Sequence, residues 1–205
     1  MTVRTRRRSI TREDILPLDA YEAVRSAKRA EIRAQKKHRQ IEVGPYAHFT
    51  FESYDSMWVQ VHEMLRTEKG GDAQLEDELA AYNPLIPNGR ELVATMMLEI
   101  DSPVARAREL VKLGNIEEQV QLRFGDHVVK AVPEQDVERT DPETGKTSSV
   151  HFLHFPFAGD QIAAFRAENA EVTLEIKHPA YRHAAGLSNE MRAALATDFD
   201  SAVVH

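Results

Sequence analysis

Apolar side chains recur along the chain with two different periods, and the period changes from segment to segment. The helical period is clearest between residues 57 and 65, where one side of a helical wheel holds Met57, Trp58, Val61, Met64 and Leu65. Residues 47–52 alternate instead between apolar and polar side chains, with Phe49 and Phe51 on the apolar side. These patterns predict a half-buried strand followed by an amphipathic helix.

The other segments give a fold class. Further strands are predicted at residues 92–100, 120–124, 128–132, 150–157 and 172–178. Further helices are predicted at about residues 12–38, 72–81, 103–113 and 159–168, and from Ser188 onward. Because helices and strands do not alternate strictly and one hairpin is evident, we expect a single α+β domain over residues 1–205. Its largely antiparallel sheet has five or six strands packed with helices, and a long basic helix follows a loose basic arm at residues 1–10.

Turn-forming residues mark where the elements end. Gly70 and Gly71 stop the amphipathic helix, whose N-cap is expected at Asp55 or Ser56. Glu68 falls on the apolar side of that helix, so its carboxylate lies either at a wetted helix end or buried with a partner. Residues 134–149 are polar and rich in turn formers, which predicts a mobile loop.

Composition excludes several classes of protein. The chain has 42% hydrophobic and 29% charged residues, as globular proteins do, and no apolar run approaches the length that spans a bilayer. The absence of cysteine excludes disulfides, thiolate zinc sites and cysteine-ligated iron–sulfur clusters. The segment after TRRRSIT contains acids and a proline instead of the apolar core of an export signal. We therefore expect a cytoplasmic protein.

Charge is distributed unevenly along the chain. Residues 1–39 contain 12 Lys and Arg against 5 Asp and Glu, a net charge of +7. Since the whole chain carries −7, the remainder carries −14. A basic segment on an acidic body binds nucleic acid, an anionic partner or its own body.

The segment YNPLIPNGREL, residues 82–92, is a stiff connector because two prolines and an Asn-Gly pair restrict its backbone. Such a connector either presents Tyr82, Asn83 and Arg90 in fixed positions or only leads the chain into the next strand. On the preceding helix, Glu63 and Arg66 form either an ordinary ion pair at i,i+3 or a ligand clamp. These five residues are the candidates for binding a ligand or partner.

Histidines suggest a metal site. His151 and His154 lie three apart on a strand, so they point to opposite faces and cannot share an ion. His151 and His178 both fall on apolar faces, and with Glu68 they would form a His/carboxylate metal site. The alternative is that each is a hydrogen-bonded core histidine. HEMLR lacks the second histidine of the zinc motif H-E-x-x-H, and phosphate-loop, dinucleotide and nucleophile-elbow motifs are absent.

Five segments together resemble a bacterial family of similar length known only as a domain of unknown function. They are EMLRTE (63–68), YNPLIPNGREL (82–92), SSVHFLHF (148–155), HPAYR (178–182) and LSNEMRAALATD (187–198). Genes of this family often lie beside those for a rubrerythrin-like protein and a heterodisulfide-reductase-type iron–sulfur oxidoreductase. This resemblance makes eight polar residues in the matching segments candidate functional residues: Glu63, Arg66, Glu68, Tyr82, Asn83, Arg90, His151 and His178.

The resemblance implies an accessory or binding protein in a redox or oxidative-stress context, with one of those two proteins as its partner. One alternative is a metal-binding protein or enzyme that uses the His/Glu cluster. Another is nucleic-acid binding through the basic N-terminus, although no nucleic-acid-binding motif supports it. A homodimer is expected only on general grounds.

Overall fold

The computed structural model describes residues 7–134 and 139–200. Its six α-helices are α1 (Leu18–Lys36), α2 (Tyr54–Glu68), α3 (Gly71–Tyr82), α4 (Pro103–Lys112), α5 (Gly159–Arg166) and α6 (Asn189–Ala196). Its strands are β1 (Gln40–Val43), β2 (Ala47–Phe51), β3 (Glu91–Leu98), β4 (Val120–Phe124), β5 (His127–Lys130), β6 (Val132–Pro133), β7 (Val150–Pro156), β8 (Val172–His178) and β9 (Tyr181–Gly186).

The strands form two antiparallel sheets. The five-stranded sheet has the order β1-β2-β3-β7-β6, and the four-stranded sheet has the order β5-β4-β8-β9. The predicted α+β class and antiparallel arrangement are confirmed, and β3 lies in the middle of its sheet. None of the helices in the described residues is long and apolar enough to cross a membrane.

Three layers result from the way the sheets bury their apolar faces. The two sheets face each other across the main core, which contains Phe49, Leu92 and Leu153 from one sheet and Leu122 and Leu174 from the other. The outer face of the five-stranded sheet packs against α2 and α3 in a second cluster that includes Met57, Val61, Leu79, Val93 and Phe152. The five-stranded sheet is therefore covered on both faces.

The structure adds strands that the pattern did not predict. The predicted strand 128–132 is divided into β5 of the four-stranded sheet and β6 of the five-stranded sheet. Strands β1 and β9 are additional: β1 alternates over only four residues, and β9 reads YRHAAG, which has no strong alternation of apolar and polar residues. They pair because they lie next to strands already in register: β9, for example, joins β8 from Thr173–Gly186 to His178–Tyr181. The described part of the chain therefore has nine strands in two sheets.

Two helix starts also differ from the prediction. Helix α1 begins at Leu18, because Pro17 has no N–H and takes the N-cap position; residues 12–14 form a separate 3₁₀ turn. Helix α2 begins at Tyr54, since Ser53 is its N-cap and accepts a hydrogen bond from the Ser56 N–H. The predicted caps, Asp55 and Ser56, lie inside the helix.

The connector between α3 and β3 is clasped by both ends of the described chain. The Asn83 side chain accepts a hydrogen bond from the Ile10 N–H at 2.7 Å and donates one to the Ile10 carbonyl oxygen at 2.9 Å. Arg8 donates to the Pro87 carbonyl oxygen at 2.8 Å, and the Gly89 carbonyl oxygen accepts from the Asp200 N–H at 2.9 Å.

This clasp corrects the prediction of a loose arm for the residues that are described. Ile10 is only 2% exposed and packs in the second cluster. Residues 1–6 lie outside the described residues, as do residues 135–138 of the predicted mobile loop. Residues 7–10 lie against the domain.

We predict that Asn83→Ala lowers the free energy of unfolding by about 1–3 kcal/mol, because both polar groups of the part-buried Ile10 backbone lose their partner. Urea unfolding followed by circular dichroism measures the change. Asn169→Ala, at an exposed asparagine, is the matched control and should stay within about 0.5 kcal/mol of wild type. Equal losses in the two variants would show that Asn83 does not fasten the N-terminal segment.

Candidate binding cleft

Glu63 is held by α1. Its carboxylate accepts hydrogen bonds from Arg25 Nε at 2.7 Å and Arg25 Nη2 at 2.8 Å, and from the Tyr21 hydroxyl at 2.7 Å. The Arg25 hydrogen bonds lower the pKa of Glu63 to about 2, and the Tyr21 hydroxyl contributes to the shift. Burial and the neighbouring carboxylate raise the pKa of Tyr21. The Glu63 carboxylate is therefore ionised and fully engaged in joining two helices.

Arg66 pairs with Glu22 of α1. The predicted i,i+3 pair between Glu63 and Arg66 is therefore wrong, since both side chains turn to α1. The reason is that α1 packs along α2 and offers oppositely charged partners across the helix interface, which a single-helix pattern does not show.

His62 is a residue whose role the sequence pattern missed. It lies at the edge of the apolar side on a helical wheel, yet its side chain is only 2% exposed. Its Nε2 accepts from the Leu16 N–H at 3.0 Å, and its Nδ1 lies 2.7 Å from the Trp58 carbonyl oxygen. The ring stacks on Tyr21 at 4.5 Å, and burial lowers its pKa. His62 thus gives the Leu16 backbone a partner, as Asn83 does for Ile10.

The other candidates from the helix and connector occupy separate places. Glu68 is the last residue of α2 and is exposed, which agrees with the wetted helix end, and it accepts a hydrogen bond from Gln74 Nε2 at 3.3 Å. Tyr82 is half-buried, and its hydroxyl accepts from Gln60 Nε2 at 3.4 Å. Arg90 has an exposed side chain, and its N–H donates to Asn88 Oδ1 at 2.8 Å.

The predicted metal ligands are not brought together. His151 and His178 are 2% and 9% exposed, and both point into the core between the sheets. Glu68 belongs to the helical layer on the opposite face of the five-stranded sheet. His178 Nε2 lies 3.2 Å from the Gly114 carbonyl oxygen and its Nδ1 accepts from the Ala180 N–H. Among the described residues, no three His, Cys, Asp or Glu side chains are placed to hold one ion.

His151 has a different partner from the one expected. Its Nδ1 lies 3.7 Å from Glu117 Oε2, and both atoms are buried without a hydrogen bond. Its Nε2 lies 2.9 Å from the Ser148 carbonyl oxygen, and Arg139 lies 3.6 Å from the other oxygen of Glu117. Burial lowers the pKa of His151. This polar cluster ties the 139–148 segment to the core.

His154 lies on the other face of β7, as predicted. Its Nδ1 is 3.2 Å from Glu91 Oε2 and its Nε2 is 3.9 Å from Glu134. The hydrogen bond with Glu91 raises the pKa of His154.

A cleft of about 860 Å³ lies beside the clasped connector. Its walls come from the N-terminal segment, the end of α1, the start of α2, the connector and the end of α6. Basic side chains predominate in the lining, namely Arg7, Arg8, Lys28, His38 and Arg39. The acidic side chains in the lining are Asp55 and Asp198.

Most of these basic groups already have partners, which differ in burial. Arg39 is buried with Asp198, and it also donates to the carbonyl oxygens of Phe51 at 2.9 Å and Glu52 at 2.7 Å. This buried pair joins the residue before β1 to the segment after α6. Separating the pair would leave a buried charge without its partner, which strongly destabilises a protein. The pairs formed by Arg7, Arg8 and Lys28 are more exposed: these side chains are 66%, 26% and 43% accessible.

Sequence reasoning located the basic segment but not the cleft. Residues 1–39 are recognisable as basic from the sequence, and all five basic lining residues fall within them: three come from α1 or the segment before it, and His38 and Arg39 follow α1. What the sequence could not show is that this segment meets the start of α2 and the end of α6, because those contacts join residues far apart in the chain.

The family model described as "Protein of unknown function (DUF3501)" matches residues 9–199. The chain belongs to the DUF3501 family. A similar solved structure is the crystal structure of a novel protein of unknown function from Burkholderia pseudomallei K96243. It is 36% identical, with a TM-score of 0.86 over 94% of this chain and 100% of that chain. No curated protein matches the chain. The DUF3501 match confirms the resemblance of the five sequence segments to a family of unknown function.

We predict that Glu63→Gln destabilises this DUF3501 protein by about 2 kcal/mol at neutral pH, because the charged acceptor of Arg25 and Tyr21 is lost. The folded pKa of about 2 lies below the ordinary value of 4.5, so the contribution of Glu63 is complete above pH 4.5 and disappears as the pH falls towards 2.

Urea unfolding at several pH values between 2 and 7 tests this. The curves of wild type and Glu63→Gln should converge at the acidic end, whereas Glu143→Gln, at an exposed glutamate, should follow wild type throughout. A constant gap between wild type and Glu63→Gln would contradict the ionic role of Glu63.

Proposed function

We propose that this DUF3501 protein is an accessory binding protein that receives an acidic segment of a partner protein in its basic cleft. The main support for this proposal is the composition of the cleft lining. Four Lys or Arg side chains and His38 line the cleft with only two acidic side chains, although the whole chain has a net charge of −7. Its volume of about 860 Å³ is within the range of ligand-binding clefts. An acidic segment matches this lining in charge and is repelled by most of the remaining surface.

Exchange of ion pairs explains how an acidic segment enters. Arg7 is paired with Asp14 and Arg8 with Asp200, and both pairs reach solvent. Exposed ion pairs contribute only about 0–1 kcal/mol each, so a carboxylate from a partner replaces the internal one at little cost. The pair of Arg39 and Asp198 is buried, so it stays intact while the exposed pairs exchange.

The rigidity of the cleft favours recognition. Asn83 and Pro87 hold the segment that carries Arg7 and Arg8, so these guanidinium groups are positioned before a partner arrives. A preformed site loses less conformational entropy on binding than a flexible one. The charge also favours fast encounter with an acidic surface at low ionic strength.

The redox setting of the proposal rests on the family resemblance. We propose that the partner is the rubrerythrin-like protein or the iron–sulfur oxidoreductase whose genes often accompany the family, and that both proteins meet in the cytoplasm. A chain without cysteine cannot ligate a cluster through thiolates, which agrees with an accessory part beside an electron carrier. The cleft then supplies the docking surface.

We predict that a fluorescein-labelled oligoglutamate peptide binds the protein at low salt and is released as salt rises. The double variant Arg7→Gln/Arg8→Gln should weaken binding by about tenfold or more, because two charged donors are removed. Lys28→Gln, on α1, should weaken it less, because only one charged donor is removed. Fluorescence anisotropy measures all three, and urea unfolding verifies that each variant is folded.

Lys112→Gln is the matched control, since Lys112 is an exposed lysine paired with a glutamate on α4. It should bind the peptide as wild type does. Equal losses in Lys112→Gln and the cleft variants would reject the cleft as the site. Peptide binding at the cleft, combined with failure of both redox proteins to co-elute at low salt, would reject the redox partner and keep the cleft.

A further inference from the structure

A second concave surface, which shares no residue with the cleft, lies between residue 16, the start of α1, α2 and α3. It is a groove of about 310 Å³ whose apolar walls are formed by Leu16, Leu18, Leu65 and Leu75. Leu16 and Leu18 are 37% and 47% exposed, among the large apolar side chains that the fold leaves in contact with water. The proposed cleft function does not account for this exposure.

The polar side chains of the groove are held by contacts with the rest of the protein. His62 and Tyr21 line it with side chains engaged by the Leu16 backbone and by Glu63. Gln74 is 9% exposed and donates to Glu78 Oε1 at 3.1 Å. Arg66 brings a positive charge, and it is 37% accessible. Apolar walls with a small number of oriented polar groups are the usual composition of a small-molecule site.

The groove continues past Arg66. A neighbouring depression of about 320 Å³ is lined by Leu18, Glu22, Arg66, Thr67 and Lys69. Leu18 and Arg66 belong to both, so one guanidinium group stands beside a row of leucine side chains. Asp72, an acid of the groove, is engaged by Arg12 at 3.1 Å. The charged side chains that remain at the junction are Arg66 and Lys69, which are positive, and Glu22, which pairs with Arg66.

We propose that this groove binds a medium-chain carboxylate, whose alkyl chain lies between the leucines and whose carboxylate pairs with Arg66. The ligand carboxylate takes the place of Glu22, whose side chain is 44% accessible. An exposed ion pair of this kind stabilises the protein little, so the exchange costs little. Removing the alkyl chain and the exposed leucines from water drives the binding. Planar guanidinium groups pair with carboxylates through two parallel hydrogen bonds.

Trp58 provides a reporter for this site. It is the only tryptophan of the chain, and its ring centroid lies 3.9 Å from that of His62, which lines the groove. Titration with octanoate should change the emission of Trp58 saturably. Hexanoate should bind roughly fifteenfold more weakly, since each buried methylene contributes about a factor of four. Calorimetry repeats both titrations, so that an emission that does not change is not mistaken for absence of binding.

Two variants and one neutral ligand separate the two halves of the proposed contact. Octanol should bind about tenfold more weakly than octanoate to wild type, because it lacks the charge that pairs with Arg66. Arg66→Gln should reduce octanoate to the affinity of octanol and leave octanol unchanged. Leu18→Ser, at an exposed position, should weaken both ligands.

Arg108→Gln is the matched control, because Arg108 is an exposed arginine paired with a glutamate on α4. It should bind octanoate as wild type does. The proposal is overturned if octanoate shows no saturable binding, if octanol binds as tightly as octanoate, or if Arg108→Gln loses as much affinity as Arg66→Gln.

Discussion

The amide side chain of Asn83 occupies the place that a neighbouring strand would take beside Ile10, accepting from its N–H and donating to its carbonyl oxygen. A part-buried backbone segment without such partners loses the hydrogen bonds it makes with water, which is costly. His62 does the same for the N–H of Leu16. The irregular chain between residues 7 and 17 is therefore fixed by side chains of α2 and the connector. Both proposed binding surfaces depend on this, because each has one wall in that segment.

Charge separates what is structural in this protein from what is available for binding. Arg39 with Asp198 is buried, and Glu63 is enclosed by Arg25 and Tyr21, so removing one partner leaves the other without compensation. The pairs of Arg7, Arg8 and Arg66 reach solvent, where an ion pair contributes little to stability. The burial of each ion pair is therefore needed to tell whether a charged candidate residue stabilises the fold or is accessible to a ligand. DUF3501 sequence motifs alone do not make this distinction.

The sequence predicted most of the elements that are long or strongly periodic. Helices α3 and α4 and strands β3, β4, β7 and β8 lie close to their predicted ranges, and His151 and His154 lie on opposite faces of β7. The predictions failed where the contacts of a residue are made by distant parts of the chain. The partner of Glu63 is on α1 and not one turn away, and His62 is buried by a segment 46 residues earlier. The short strands β1 and β9 form because they pair with neighbouring strands, and the local pattern of apolar and polar residues does not show that pairing.

Hydrogen exchange at individual amides is the most direct measure of whether the N-terminal segment is fixed in the way that both surfaces require. We expect the amides of Ile10 and Leu16 to exchange slowly, with protection comparable to amides in the middle of α2, because each donates to a side chain that packing holds in place. Exchange of these two amides at the rate of an unstructured peptide, while α2 and β3 remain protected, would contradict it. Neither the cleft nor the groove would then exist before a ligand arrives.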